Sequence, residues 1–210
     1  VALIGPNGAG KSTLLLHLNG ILRGEGNLQI LGLPVEDRRL RDIRAQVGVV
    51  FQDPDDQLFL PTVGQDVAFG PANMGLPKEE IERRVHAALA AVGLPEAVDR
   101  SPHHLSFGQK KRAAMATVLA MGPALLVLDE PTSNLDPAGR RQLIEILHAE
   151  SSTMIVATHD LGAAYELCER VIIMDRGRIV ADGPRAAILS DERLLAAHDL
   201  ELPFARAPEP

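Results

Sequence analysis

Residues 1–20 read VALIGPNGAGKSTLLLHLNG, and the order of chemistries in that stretch decides the fold. Val1 to Ile4 form a short continuous apolar run, the pattern of a strand buried on both faces. Glycines at 5, 8 and 10 then frame GPNGAGKS, and LLLHL continues at helical spacing until Gly20 stops it. Strand, glycine loop and helix in that order predict a phosphate-binding loop. Glycine lets the loop through Gly5, Pro6, Asn7, Gly8, Ala9 and Gly10 turn backbone N–H groups onto phosphate oxygens. Lys11 adds a cation, Ser12 offers a hydroxyl to Mg²⁺, and the helix points its N-terminus at the anion. The expected binding set runs from Gly5 to Thr13.

Outward from this loop, short apolar runs recur at VGVVF, ALLVLD, MIVATH and RVIIMD, several of them separated by helical periodicity. Strands alternating with helices predict a largely parallel sheet covered on both faces. Residues 62–120 carry no strand pattern, and in KEEIERRVHAALAAVG the apolar Ile81, Val85, Leu89 and Val92 recur at helical spacing before Gly93. The expectation is an all-helical subdomain over 62–120 inserted into an α/β core of 1–61 and 121–184. VIIMDRGRIVADG predicts two strands around Arg176-Gly177, and 185–210 a helical tail that becomes Pro-rich and frays. The chain opens without methionine, inside a strand pattern, so further N-terminal strands are expected to lie upstream of Val1.

Composition bounds the function. The chain has 210 residues, a formal charge of −7 and 3% aromatic residues, which argues against phosphate-backbone neutralisation and base stacking, hence against nucleic acid as a partner. Cys168 is the sole cysteine, so no internal disulfide can form, and it reads as a small buried apolar residue in a reducing compartment. The longest uncharged run, Ala113 to Leu128, falls short of the roughly 20 residues of a membrane span and is broken by Gly122-Pro123. No export signal is visible.

ALLVLDEP runs a strand straight into Asp129 and Glu130. Alone, that is a strand ending in solvated acids. Behind a phosphate loop, the pair reads as a Mg²⁺ anchor, Asp129, and a general base for the attacking water, Glu130. LSFGQKKR at 105–112 is the discriminating stretch, because most phosphate-loop enzymes lack anything like it. The phosphate loop, LSFGQ, LLVLDEP, SNLD and ATHD occur in the order and at about the spacing of the ATP-binding-cassette (ABC) ATPases, and the resemblance covers nearly the whole chain.

That resemblance implies ATP and Mg²⁺ as ligands and further roles residue by residue. Gln52 resembles the Q-loop glutamine that contacts Mg²⁺ and water and reports nucleotide state to a membrane partner. Ser106 and Gly108 resemble signature residues that contact ATP held by the opposite subunit of a head-to-tail dimer. Asp136 resembles the D-loop aspartate that crosses the dimer seam, and His159 the switch histidine at the γ-phosphate. Phe107 stands where the commonest signature has a glycine, and no aromatic residue precedes Gly5 where the family stacks adenine. His103-His104 diverge in any regular backbone and predict no metal site. Lys110, Lys111 and Arg112 read as the first turn of the helix after the signature.

The interval between phosphate loop and signature is too short for the coiled coil of repair and chromosome-maintenance relatives; translation-factor relatives carry two cassettes and a basic linker, and these 210 residues hold one cassette and no such linker, which leaves open a second cassette outside them. A soluble non-transport ATPase is the alternative; a transporter motor, cytoplasmic and peripheral on the inner membrane face, fits better. FQDPDDQLF with TVGQDVAFGPANMGLP is similar to energy-coupling-factor importer ATPases for vitamins and transition metals, most of all the cobalt or nickel branch. Those pair two ATPase subunits with a membrane scaffold that enters a groove beside the Q-loop, which Leu58, Phe59 and Leu60 are expected to line. Folding of these three into the helical subdomain is the other reading. Asp53 and Asp55 either meet basic residues of the scaffold or are turn formers around Pro54.

Overall fold

The computed structural model describes residues 1–202. The Pro-rich end of the tail, 203–210, lies outside the described residues. β1 (Ala2–Ile4) leads through the glycine loop into α1 (Lys11–Leu18). A small hairpin of β2 (Gln29–Ile30) and β3 (Leu33–Pro34) is followed by α2 (Leu40–Gln46) and β4 (Val47–Val50). Next come the helices α3 (Val63–Asn73), α4 (Lys78–Ala91) and α5 (Phe107–Leu119). The chain then alternates through β5 (Leu125–Asp129), α6 (Pro137–Ala149), β6 (Thr153–Ala157), α7 (Leu161–Leu167) and β7 (Arg170–Asp175). It closes with β8 (Arg178–Pro184), α8 (Arg185–Ser190) and α9 (Glu192–Ala196).

The main sheet runs β4-β5-β6-β1-β7-β8, parallel throughout except for β8, which pairs antiparallel with β7. Its strands divide their side chains between two cores. Ala2, Ile4, Val50, Leu126 and Leu128 point to one face, under α3 to α9. Leu3, Val47, Val49, Leu125 and Val127 point to the other, against Leu15 of α1 and Ile43 of α2. Alternation of period two with both faces apolar is why these strands read as unbroken hydrophobic runs. Cys168 is buried in the first core.

The β2–β3 hairpin is not assigned in the sequence reading, because two residues per strand leave no periodicity to detect. Its signal is the turn: Leu31 and Gly32 both adopt positive φ, 50° and 78°, the pattern of a tight two-residue hairpin.

The loop after β4 corrects one expectation. Leu58 does not line a surface groove; it is 6% exposed and packed into the core. A single turn over Pro54–Asp56, closed by Leu58 N–H donating to the Pro54 carbonyl at 3.0 Å, rolls this side chain inward. Phe59 is left 62% exposed and Leu60 half-buried. The two acids also find partners within the chain. Asp53 accepts from Asp55 N–H at 3.0 Å, as a turn former, and Asp55 pairs with Lys110 at 2.6 Å.

Close approach of α5 to β4 depends on Gly48. A Cβ there would lie 2.1 Å from a methyl carbon of Val118 and 3.2 Å from Pro123. Gly48→Ala is therefore expected to lower stability by about 1–3 kcal/mol through overpacking, read as a lower urea midpoint at unchanged slope.

Candidate functional site

The strand order brings three chemistry-bearing strand ends together. β6 lies between β5 and β1, and Ala157 is in register with Asp129 on one side and Leu3 on the other. All three strands run the same way, so the glycine loop, Asp129-Glu130 and Thr158-His159 emerge side by side at one sheet edge. Ligands of open α/β sheets bind at this edge.

The glycine loop is shaped by contacts that allow no side chain. At Gly5 a Cβ would sit 2.0 Å from the Met174 carbonyl oxygen, and φ is 151°. Gly10, at φ 98°, precedes α1 without any side-chain cap, which leaves the first N–H groups of the helix free for an anion. Lys11 is buried, and its Nζ donates to the Gly5 carbonyl at 2.8 Å and the Pro6 carbonyl at 3.1 Å, bracing the loop with the cation a phosphate would meet.

Asp129 ends β5. Burial pushes its carboxyl above the ordinary range, opposed by a hydrogen bond from Ser12. Its Oδ1 is buried and has no hydrogen-bond partner. A carboxylate oxygen left bare in this way beside the Ser12 hydroxyl suits a hard cation, and the Gln52 side-chain carbonyl would complete an all-oxygen donor set. Among the described residues no cluster of three His, Cys, Asp or Glu exists, so the protein donors form a partial set. Mg²⁺ held here would share its shell with phosphate oxygens and water. The residues therefore fit the ion.

Glu130 is buried, and its backbone is left-handed at φ 46°. Its Oε2 accepts from the His159 N–H at 3.2 Å and the Thr158 hydroxyl at 3.1 Å, and the His159 Nδ1 lies 2.8 Å from it. Two hydrogen bonds on one oxygen fix the carboxylate, and Glu130 lines the cavity. The His159 side chain is 64% exposed beside it. Thr158 Oγ1 also accepts from Asp160 N–H at 3.0 Å. Asp160 caps α7 and is clamped by Arg140 at 2.7 Å, and Arg140 also reaches Glu166 at 3.0 Å. Burial alone would raise the Asp160 carboxyl, but hydrogen bonds from Arg140, Ala163 and Thr132 outweigh it and hold it below the ordinary range.

These groups surround one cavity of about 1250 Å³ lined by Gly5 to Thr13, Gln52, Glu130 and His159. The sequence reading did not include Arg140 or Leu200 to Leu202, which also line it. Ser106, Gly108 and Asp136 lie elsewhere on the surface. Ser106 caps α5 in a reciprocal box with Gln109, and Asp136 caps α6 by accepting from Gly139 N–H at 2.7 Å. A further missed residue is Lys111, a helix-turn lysine in the sequence. It is 2% exposed, and its Nζ donates to the Glu130 carbonyl at 2.9 Å and to Ser133 Oγ at 3.2 Å. Burial pushes this ammonium down to about 8. Nothing in a run of three cations marks the middle one as buried.

A phosphate cradle delivered beside two carboxylates by neighbouring parallel strands places the protein among the phosphate-loop nucleoside triphosphatases. The family model described as ABC transporter matches residues 1–133. A Streptomyces coelicolor protein provisionally named as an ABC transporter ATP-binding protein is 60% identical over 209 residues, covering 99% of this chain and 80% of that one. The energy-coupling factor transporter ATP-binding protein EcfA1 of Methanospirillum hungatei is 50% identical, covering 97% and 76%. Among solved structures, CbiO1 of Clostridium perfringens, part of the ABC transporter complex CbiONQ, is similar with a TM-score of 0.81 and 41% identity, covering 96% of this chain and 83% of that one. The dimeric cassette MJ0796, in a post-hydrolysis state with ADP and Pi, is similar at 0.77 and 27%, covering 88% and 84%. The chain belongs to the ABC transporter family of ATP-binding, ATP-hydrolysing subunits.

Asp129→Asn is expected to leave the melting temperature of the nucleotide-free protein unchanged or higher, since it removes a bare buried carboxylate oxygen. The same variant should lose the extra stabilisation that Mg²⁺ with ATP gives over ATP alone, which paired thermal melts will show.

Proposed function

We propose that this chain is the motor subunit of an energy-coupling-factor-type importer, hydrolysing ATP at the cavity above the sheet edge. The observation that carries this reading is the Glu130 carboxylate, fixed on one oxygen by Thr158 and His159 in the wall of the cavity that the glycine loop also lines. Held so, Glu130 accepts a proton from a water whose oxygen bonds to the γ-phosphorus as the bond to the bridging oxygen of ADP breaks. His159, exposed next to it, contacts the γ-phosphate. Backbone N–H groups of the loop and Lys11 hold the phosphate chain, with Lys11 exchanging its carbonyl partners for phosphate oxygens. Ser12, Asp129 and Gln52 would hold Mg²⁺, which supplies charge neutralisation to the phosphates when bound.

Ser106, Gly108 and Asp136 stand outside the cavity on surface helix termini, so they act on nucleotide held by a second subunit in a head-to-tail dimer. The dimeric relative with ADP and Pi supports this arrangement.

No helix of the described residues is long and apolar enough to cross a membrane. In this reading a membrane scaffold carries the cargo, and the docking surface we assign to it is the exposed pair Phe59 and Phe69 with Leu60. The two rings meet edge to face at 5.3 Å, 62% and 49% exposed, and Phe59 follows Gln52 by seven residues. Exposed aromatic pairs of this kind call for a covering partner. Asp66 supports the tip: its Oδ1 accepts from the N–H groups of Phe59 at 3.1 Å and Leu60 at 3.0 Å. The likeness of FQDPDDQLF with TVGQDVAFGPANMGLP to energy-coupling-factor importer ATPases supports a transition-metal ion such as cobalt or nickel, or a vitamin, as cargo. The working place of the subunit is the cytoplasmic face of the membrane.

Glu130→Gln is expected to lower ATP turnover by about 10²-fold or more while an ATP-bound dimer still forms, as light scattering and phosphate release will show. Unchanged turnover would remove Glu130 from this role. Phe59→Asp should keep dimerisation and lose co-purification with the scaffold, and retained scaffold binding would defeat the docking assignment.

A further inference from the structure

We propose that Lys111 is a positioning residue that ties the signature helix to the backbone of Glu130, so that engagement of Ser106 and Gly108 sets the catalytic carboxylate of the same chain. The inference rests on the ATPase reading above and extends it to communication between the two sites of the dimer.

Four observations support it. First, Lys111 is among the largest fully buried side chains, and among the described residues its hydrogen bonds run to the turn after β5: to the Glu130 carbonyl at 2.9 Å and Ser133 Oγ at 3.2 Å. A buried ammonium is costly to desolvate, and an apolar side chain would fill the same space more cheaply. Second, the residue it holds has a left-handed backbone, φ 46°, which a side chain with a Cβ adopts only when its surroundings impose it. Three donors converge on the Glu130 carbonyl: Lys111 Nζ, Ser133 Oγ at 2.8 Å and Ser133 N–H at 3.2 Å.

Third, Lys111 and the signature share one rigid element. Ser106 is the cap of α5, Gly108 lies in its first turn, and Lys111 follows Ser106 by five residues, less than two helical turns. A shift of the helix start is therefore carried to the ammonium and from it to the Glu130 turn. Fourth, Phe107 covers the ammonium, with Nζ 5.8 Å from its ring centroid. This cation–π contact gives the phenylalanine of LSFGQ a physical task in this chain.

The test uses the full-length dimer with its scaffold, comparing Lys111→Met and Lys111→Arg. Methionine keeps the apolar stem and removes the charge; arginine keeps both. Lys111→Met is expected to lower kcat by about 10- to 100-fold with KM for ATP unchanged, and Lys111→Arg to restore most of it. In a double-mutant cycle with Ser106→Ala, the loss caused by the serine change should shrink several-fold in the methionine background. Wild-type kcat in Lys111→Met, or additive effects in the cycle, would overturn the proposal. Equal losses of kcat and ATP binding in both lysine variants would overturn it too, by showing a packing role. Should Lys111→Met melt early, Ser133→Ala removes a donor from the same carbonyl and is expected to lower kcat severalfold at unchanged KM; unchanged kcat there counts against the proposal. Absence of hydrolysis by the wild-type complex would instead sink the ATPase reading itself.

Discussion

The chemistry of this protein depends on β6 being hydrogen-bonded between β5 and β1. Ala157 stands in register with both Asp129 and Leu3, so the next residues of all three strands leave the sheet together. Glu130 N–H donates to the Ala157 carbonyl at 2.8 Å, and Thr158 N–H to the Leu3 carbonyl at 3.1 Å, which continues the ladder into the site itself. A slip of one residue would send each side chain to the opposite face, and both faces are already filled. Packing of the two cores thus fixes the distance between a carboxylate and a histidine that are 29 positions apart in sequence.

The distribution of charge around that edge follows a second rule. Both buried lysines end on backbone carbonyls: Lys11 on Gly5 and Pro6, Lys111 on Glu130. Neither forms a direct ion pair with Asp129 or Glu130. Carbonyl dipoles satisfy the ammonium groups without neutralising the acids, which stay available for a cation and a water. Arg140 joins Asp160 and Glu166 in the cavity wall. Carbonyl dipoles on the lysines and the Arg140 ion pairs hold the cavity wall in place without a ligand.

The strands, the glycine loop and the Asp129-Glu130 pair were legible because each is a local pattern: an apolar run, a spacing of glycines, acids at a strand end. His159 was legible by its place after MIVAT. Leu58 was not, because a tip of Leu, Phe and Leu gives no periodicity, and only the turn over Pro54–Asp56 decides that the first faces the core. Lys111 was not, because a lysine beside Lys110 and Arg112 reads as solvated until β5 is laid against α5. The same holds for Arg140, whose partners lie 20 and 26 residues away.

By itself, then, the sequence determined the kind of fold, the glycine loop between strand and helix and the two acids at the end of β5, since these need only neighbours along the chain. Tertiary structure alone decided which oxygen of Glu130 is held, which lysine holds its backbone and which apolar residues stay exposed. Those outcomes depend on groups brought together across the sheet, where burial makes every unpaired polar atom costly and leaves few arrangements open.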